Sequence, residues 1–153
     1  METKKVGIYD VTIHPFQEVK RTEIPRNTDS VVDWNFRYLT SQIERPTLVL
    51  QPKFRSSTPE DDLKPGETVL DGKPEYGLGK TLREHEESHI NDYQTILRER
   101  QPNMSFTDEG YRKYMQDTND LLKVCSDYHT DQVGTRESPH WNECARILNI
   151  PDR

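Results

Sequence analysis

The sequence predicts an α+β domain with its strands first and its helices after them. Three observations predict it. β-branched, roughly alternating segments are confined to the region before Pro52. Capped segments with helical periodicity begin at Thr81 and continue almost to the end. Between the two lies an aperiodic stretch, 55–75, that holds Ser56, Ser57, Pro59, Pro65, Gly66, Gly72 and Pro74 among acids and lysines. With 153 residues there is material for one core and not for two, so 1–153 reads as a single domain with a long polar loop.

The first strand is Val6 to Ile13, β-branched and alternating. Val31 to Thr40 fits a strand or a short helix equally well. Thr47 to Gln51 is the next strand, bounded by Pro46 and Pro52, because proline cannot donate to a ladder. Thr81-Leu82-Arg83-Glu84 is a capping box, in which the threonine hydroxyl takes the Glu84 amide and Glu84 reaches back. Gly77 and Gly79 permit a sharp entry into it. The helix it opens runs from Leu82 to about Arg100, where Pro102 stops it. A second helix starts near Ser105 or Thr107, with Asp108 and Glu109 in its first turn, and ends at Gly134. Ser138 as N-cap and Pro139 at the first helical position signal a third, which ends before Pro151.

Composition narrows the function classes. Hydrophobic and charged residues are 31% each, which implies a small core under a polar surface. No apolar run approaches the ~20 residues of a membrane span, and the N-terminus lacks the apolar region of a secretory signal. The expected location is therefore the cytoplasm, or outside the cell by a signal-independent route. A net charge of -6 with interspersed signs and no basic stripe disfavours nucleic acid as a partner. Cys125 and Cys144 are too few for a disulfide framework and read as two half-buried thiols, with a single bridge as the alternative in an oxidising compartment.

The chemistry lies in His85-Glu86-Glu87-Ser88-His89, an H-E-x-x-H segment inside the first capped helix. Residues four apart share a helix face, so both imidazoles can reach one metal ion. Leu82, Tyr93 and Ile96 put that face toward the core. Glu86 lies about 100° round the axis, where it can take a proton from a zinc-activated water without being a ligand.

These residues resemble the zincin metallopeptidases, whose hallmark is H-E-x-x-H on an active-site helix. The resemblance implies a zincin-like α+β fold, in which short N-terminal strands precede the active-site helix and a second packed helix. It implies zinc held by His85 and His89, Glu86 as general base, and hydrolysis of a peptide bond in a protein or peptide substrate. It also implies that substrate adds to an extended edge strand, for which Thr47 to Gln51 is the candidate. Compact bacterial zincin domains include toxins delivered by specialised secretion systems, so the analogy adds an effector role and an inhibitory protein as partner. The rival reading is a catalytically inactive zincin-like binding module.

Zincins need a third protein ligand. The metzincin extension would require Gly at 92 and His or Asp at 95, where this chain has Asp92 and Thr95. The thermolysin-like pattern would require a Glu late in the second helix, which is absent. The apolar stripe of that helix, Tyr111, Tyr114, Met115, Leu121, Leu122 and Cys125, continues to Tyr128, His129 and Gln132. His129 is therefore the expected third ligand and Asp131 the alternative, followed by Asp127, with His140 and Glu143 further off. Asp92, one turn past His89, is a candidate support for its free ring nitrogen. Tyr128 and His140 are candidate donors to an oxyanion. His14, beside Pro15, reads as structural or surface.

Overall fold

In a computed structural model of the protein, the described residues are 1–19, 30–39, 44–55, 78–79, 81–103 and 105–152. They form an α+β fold of five strands and three helices: β1 (Glu2–Val6), β2 (Tyr9–Ile13), β3 (Gln17–Val19), β4 (Ser30–Arg37), β5 (Thr47–Arg55), α1 (Leu82–Glu99), α2 (Asp108–Thr130) and α3 (Trp141–Leu148). The expected loop at 55–75 lies outside the described residues apart from Arg55, which ends β5.

The segment read as one strand from Val6 to Ile13 is the second half of a hairpin. Val6 pairs with Tyr9, leaving Gly7 and Ile8 as a two-residue turn. Gly7 has φ 59°, the left-handed backbone that glycine adopts without steric cost. The ambiguous segment after Ser30 is a strand. β5 is the centre of the sheet: β2 and β3 lie parallel to its two halves along one side, and β4 runs antiparallel along the whole of the other. It continues through Pro52, where the sequence suggested a stop. The Leu50 carbonyl accepts from the His14 amide, and Pro52, two residues on, faces the same side. Pairing on that side is interrupted between β2 and β3, so the missing N–H costs no ladder bond there.

Alternate residues on the sheet face the core, with Tyr9, Val11, Leu48 and Leu50 fully buried beneath the helices. α1 packs against β4, β1 and β5, and α2 lies beside α1 with α3 against both. Thr81 caps α1 as expected, its hydroxyl accepting the Glu84 amide at 3.1 Å. Thr107 does the same for α2 at Gly110, 3.0 Å.

Two helix ends differ from expectation. α2 ends at Thr130, four residues before Gly134, and Gln132 follows with φ 55°. α3 begins at Trp141, not at Pro139. The Ser138 hydroxyl, expected to cap α3, instead accepts the Thr135 amide at 2.9 Å, which closes the preceding turn. Cys125 of α2 and Cys144 of α3 are not separate thiols but a disulfide, both residues wholly buried. No helix among the described residues is long and apolar enough to cross a membrane.

Candidate metal centre

His85 and His89 stand one turn apart on the buried face of α1, their rings edge to face with centroids 5.1 Å apart. Both Nε2 atoms point at one oxygen, Oδ1 of Asp131, at 2.9 Å from His85 and 3.0 Å from His89. Among the described residues, His85, His89 and Asp131 form the group whose ligand atoms all lie within 4.8 Å of one another and could hold a metal ion. Two of the three are buried and Asp131 is half-buried.

The hydrogen bonds behind the two rings fix what they offer in front. His85 Nδ1 lies 2.8 Å from the Leu78 carbonyl, which can only accept, so that nitrogen carries a proton. Ser126 donates its single hydroxyl proton to Asp92 Oδ2 at 3.0 Å. His89 Nδ1, 2.7 Å from Ser126 Oγ, must therefore be the donor in that contact. With its Nδ1 proton so engaged, each imidazole turns Nε2 toward Asp131. With both rings neutral, two nitrogen lone pairs and a carboxylate oxygen would converge at hydrogen-bond distance. Acceptors do not bond one another, so the cluster needs a cation, either an added proton or a metal ion. A tetrahedral ion with bonds of ~2.0–2.1 Å would separate its ligands by roughly 3.3 Å, so each nitrogen–oxygen distance would open by a few tenths of an ångström to admit it.

The electrostatics agree. Burial by itself would push the His89 imidazole down. The hydrogen bond to Asp131 and the charges of Glu86, Asp131 and Asp92 outweigh it and hold the group at about 9. For Asp131 burial pushes the carboxyl up, but the hydrogen bonds and charges of His85 and His89 prevail and lower it. Asp127, one turn before Asp131, is raised to about 6 by burial first and by the Asp131 charge second.

Supporting residues surround the cluster. Asp92 is 1% exposed and accepts from Ser126, from Thr130 Oγ1 at 2.6 Å, and from His129 Nδ1 at 2.7 Å. It reaches His89 through the Ser126 hydroxyl and not directly. Segment 78–79 ties both ligand-bearing helices together: the Leu78 amide donates to the Thr130 carbonyl at 2.7 Å while its own carbonyl holds His85. Gly79, at φ 97°, passes so close to α1 that a Cβ there would lie 2.7 Å from the His85 amide nitrogen. Glu86 is 2% exposed. Its Oε1 accepts from Ser30 of β4 at 2.8 Å, and its Oε2 is buried with no hydrogen-bond partner among the described residues. An ionised oxygen left so is expensive, by at least ~1–3 kcal/mol.

The structure brings together His85, His89 and Asp131, with Glu86 near enough for its charge to act on His89. It turns His129, the expected third ligand, toward Asp92, where it does not join the ligand group. The face of α2 that meets α1 here is polar, Ser126 and Thr130 against Ser88, His89 and Asp92, so an apolar stripe could not give its phase. Tyr128 donates its hydroxyl to the Pro139 carbonyl at 2.8 Å, His140 is exposed at the start of α3, and Glu143 pairs with Arg146 at 2.7 Å. His14 is half-buried beside β2 and donates its amide to Leu50. Sequence reasoning missed Ser30, Leu78 and Ser126. A serine on the buried face of a helix was a signal for Ser126; Ser30 and Leu78 carried none. The edge-strand expectation also moves: Thr47–Gln51 lies in the central strand, whereas β4, like β1 and β3, pairs on one side only among the described residues, and of these β4 is the one that touches Glu86, through Ser30. Comparison with protein-family models, curated proteins and solved structures gives no match.

Proposed function

We propose that the chain is a zinc-dependent peptide hydrolase of zincin type, with His85, His89 and Asp131 as metal ligands and Glu86 as general base. The observation that carries the reading is the convergence of two imidazole nitrogens and a carboxylate oxygen, with a buried carboxylate, Glu86, on the same helix turn. Two imidazoles and a carboxylate are a normal protein set for catalytic zinc, which leaves a position open. Zinc bound there would supply Lewis acidity and lower the pKa of water toward ~7. Glu86 then has a proton to take: Ser30 holds Oε1, and Oε2 is free to accept. The same ligand set also suits ferrous iron. A buried base with a free oxygen favours hydrolysis over oxygen chemistry, and favours an enzyme over an inactive binding module. A peptide laid along the outer edge of β4 would gain main-chain hydrogen bonds beside Glu86. The Cys125–Cys144 disulfide fits a protein that works in an oxidising compartment, as an exported effector would.

The test is metal analysis and peptide cleavage on four proteins. The parent should carry zinc and cleave in a chelator-sensitive manner. Glu86→Gln should keep the metal and lose roughly 10²–10⁴-fold in rate. Asp131→Ala should lose the metal, and His129→Ala should keep it. A parent free of transition metal after growth in zinc-replete medium, or an active Glu86→Gln protein, would refute the assignment.

A further inference from the structure

We propose that the Cys125–Cys144 disulfide is a redox lock on the metal centre: closing the bridge raises the affinity of the site for metal, and opening it lowers that affinity. The lock presupposes the ligand set proposed above and does not presuppose hydrolysis. The bridge closes a covalent ring from Cys125 to Cys144, and Asp131 lies inside that ring. His85 and His89 lie outside it, on α1. The contacts that seat the ring against α1 begin one residue from the bridge. Ser126 accepts from His89 Nδ1 at 2.7 Å and donates to Asp92 at 3.0 Å. One turn on, Thr130 bonds Ser88 at 2.7 Å and Asp92 at 2.6 Å, and Asp131 follows it. The covalent tie to α3 therefore acts on the turns of α2 that bring the third ligand to the other two.

The backbone of the ring depends on that tie. Asp131 is the C-cap of α2, and the chain after it passes through left-handed residues at Gln132 (φ 55°), Gly134 (φ 84°) and His140 (φ 63°) before α3 begins. Gln132 and His140 are not glycine, so each of those conformations costs free energy and persists only where the surroundings fix it. α3 starts without a side-chain cap, and what fixes its first turn is Trp141 against Tyr128, ring centroids 5.6 Å apart, together with the bridge one turn further. Opening the bridge leaves the two imidazoles in place on α1 and lets the strained segment behind Asp131 relax. The redox step balances with a small disulfide such as oxidised glutathione. The two thiols of the chain give up two protons and two electrons, one S–S bond forms between them, and glutathione leaves as two thiols. Both sulfurs are wholly buried after folding, so the state of the lock is set while the chain folds, by the compartment it folds in. Metal and bridge favour one arrangement, so each strengthens the other by a common factor.

The test compares zinc affinity, by competition with a chromogenic chelator, in the parent and in a protein carrying Cys125→Ala and Cys144→Ala, which keeps no thiol to bind metal. Circular dichroism establishes that both are folded at the temperature used. The expected result is roughly tenfold weaker zinc binding by the double variant. Equal affinity in two folded proteins overturns the lock and leaves the metal centre standing, with the bridge serving the fold alone. If the double variant does not fold, the parent decides. It is equilibrated in glutathione buffers with and without buffered free zinc, and its thiols are trapped by alkylation. Zinc should raise the midpoint in [GSH]²/[GSSG] by roughly the same factor. An unchanged or lowered midpoint overturns the lock. A parent that binds no zinc overturns the metal reading, and the lock with it.

Discussion

Ser126 has one proton and two neighbours that could use it, and the choice between them sets the chemistry of His89. Because the proton goes to Asp92, His89 keeps its own on Nδ1 and turns Nε2 toward Asp131, where a proton or a metal ion can occupy it. Removing the hydroxyl should release that tautomer. Ser126→Ala is expected to weaken zinc binding by ~10–100-fold with the fold retained, as measured by competition with a chromogenic chelator. Unchanged affinity would mean that the serine does not set the tautomer. A second prediction concerns pH. The folded His89 is raised to about 9, so its contribution to the metal-free protein is fully present below about 6.5 and is lost as pH climbs through 9. A metal ion replaces the proton, so its affinity rises over the same interval. The gap in Tm between zinc-loaded and metal-free protein should therefore widen from pH 6.5 to 9. A gap that narrows would contradict the assignment of His89 as a ligand.

At the scale of elements, what was legible in the sequence was what is local. The Thr81 cap, the Pro102 stop and the i, i+4 histidines are each fixed within one or two turns, and each appears in the structure as the sequence suggested. Gly7 was read through because alternation on both of its sides looks the same whether or not the chain reverses. β5 outran Pro52 because the cost of proline depends on which neighbour its nitrogen faces, a fact of the sheet and not of the strand. Asp131 rather than His129 meets the imidazoles because α2 ends at Thr130 and its last turns face a polar patch of α1; both conditions are tertiary. The disulfide is another tertiary outcome. It joins α2 to α3 across a sequence separation of 19 and lies six residues before Asp131. Closing a loop of that size stabilises by about 3 kcal/mol on the chain-entropy model. Unfolding in denaturant with reductant present should show a midpoint lowered accordingly, and an unshifted midpoint would mean that the bridge adds no stability.

For the whole molecule, the candidate metal centre is a meeting point of distant segments: the first half of α1, the last turn and C-cap of α2, the start of β4 through Ser30, and residues 78–79. None of them carries the site alone, so the ligands converge only when the domain is folded. Zinc should therefore report on global stability, adding ~4 kcal/mol at a thousandfold excess over its dissociation constant. The sheet beneath has its own asymmetry. An open β4 edge offers main-chain donors and acceptors to any extended chain, including another copy of this one. What stands along that strand is unsuited to such self-association. Asp33, Asn35 and Arg37 alternate as exposed residues on the face away from α1, and Asp33 is held by Lys53 at 2.6 Å. Like strands meeting edge to edge in parallel register would set like charges together, and in any register would strip water from them. Asp33→Val with Arg37→Val should turn a well-behaved solution into one that scatters light and binds thioflavin T on standing, while the parent stays clear. Colloidal restraint, on this view, is written on the same strand whose edge we propose for substrate.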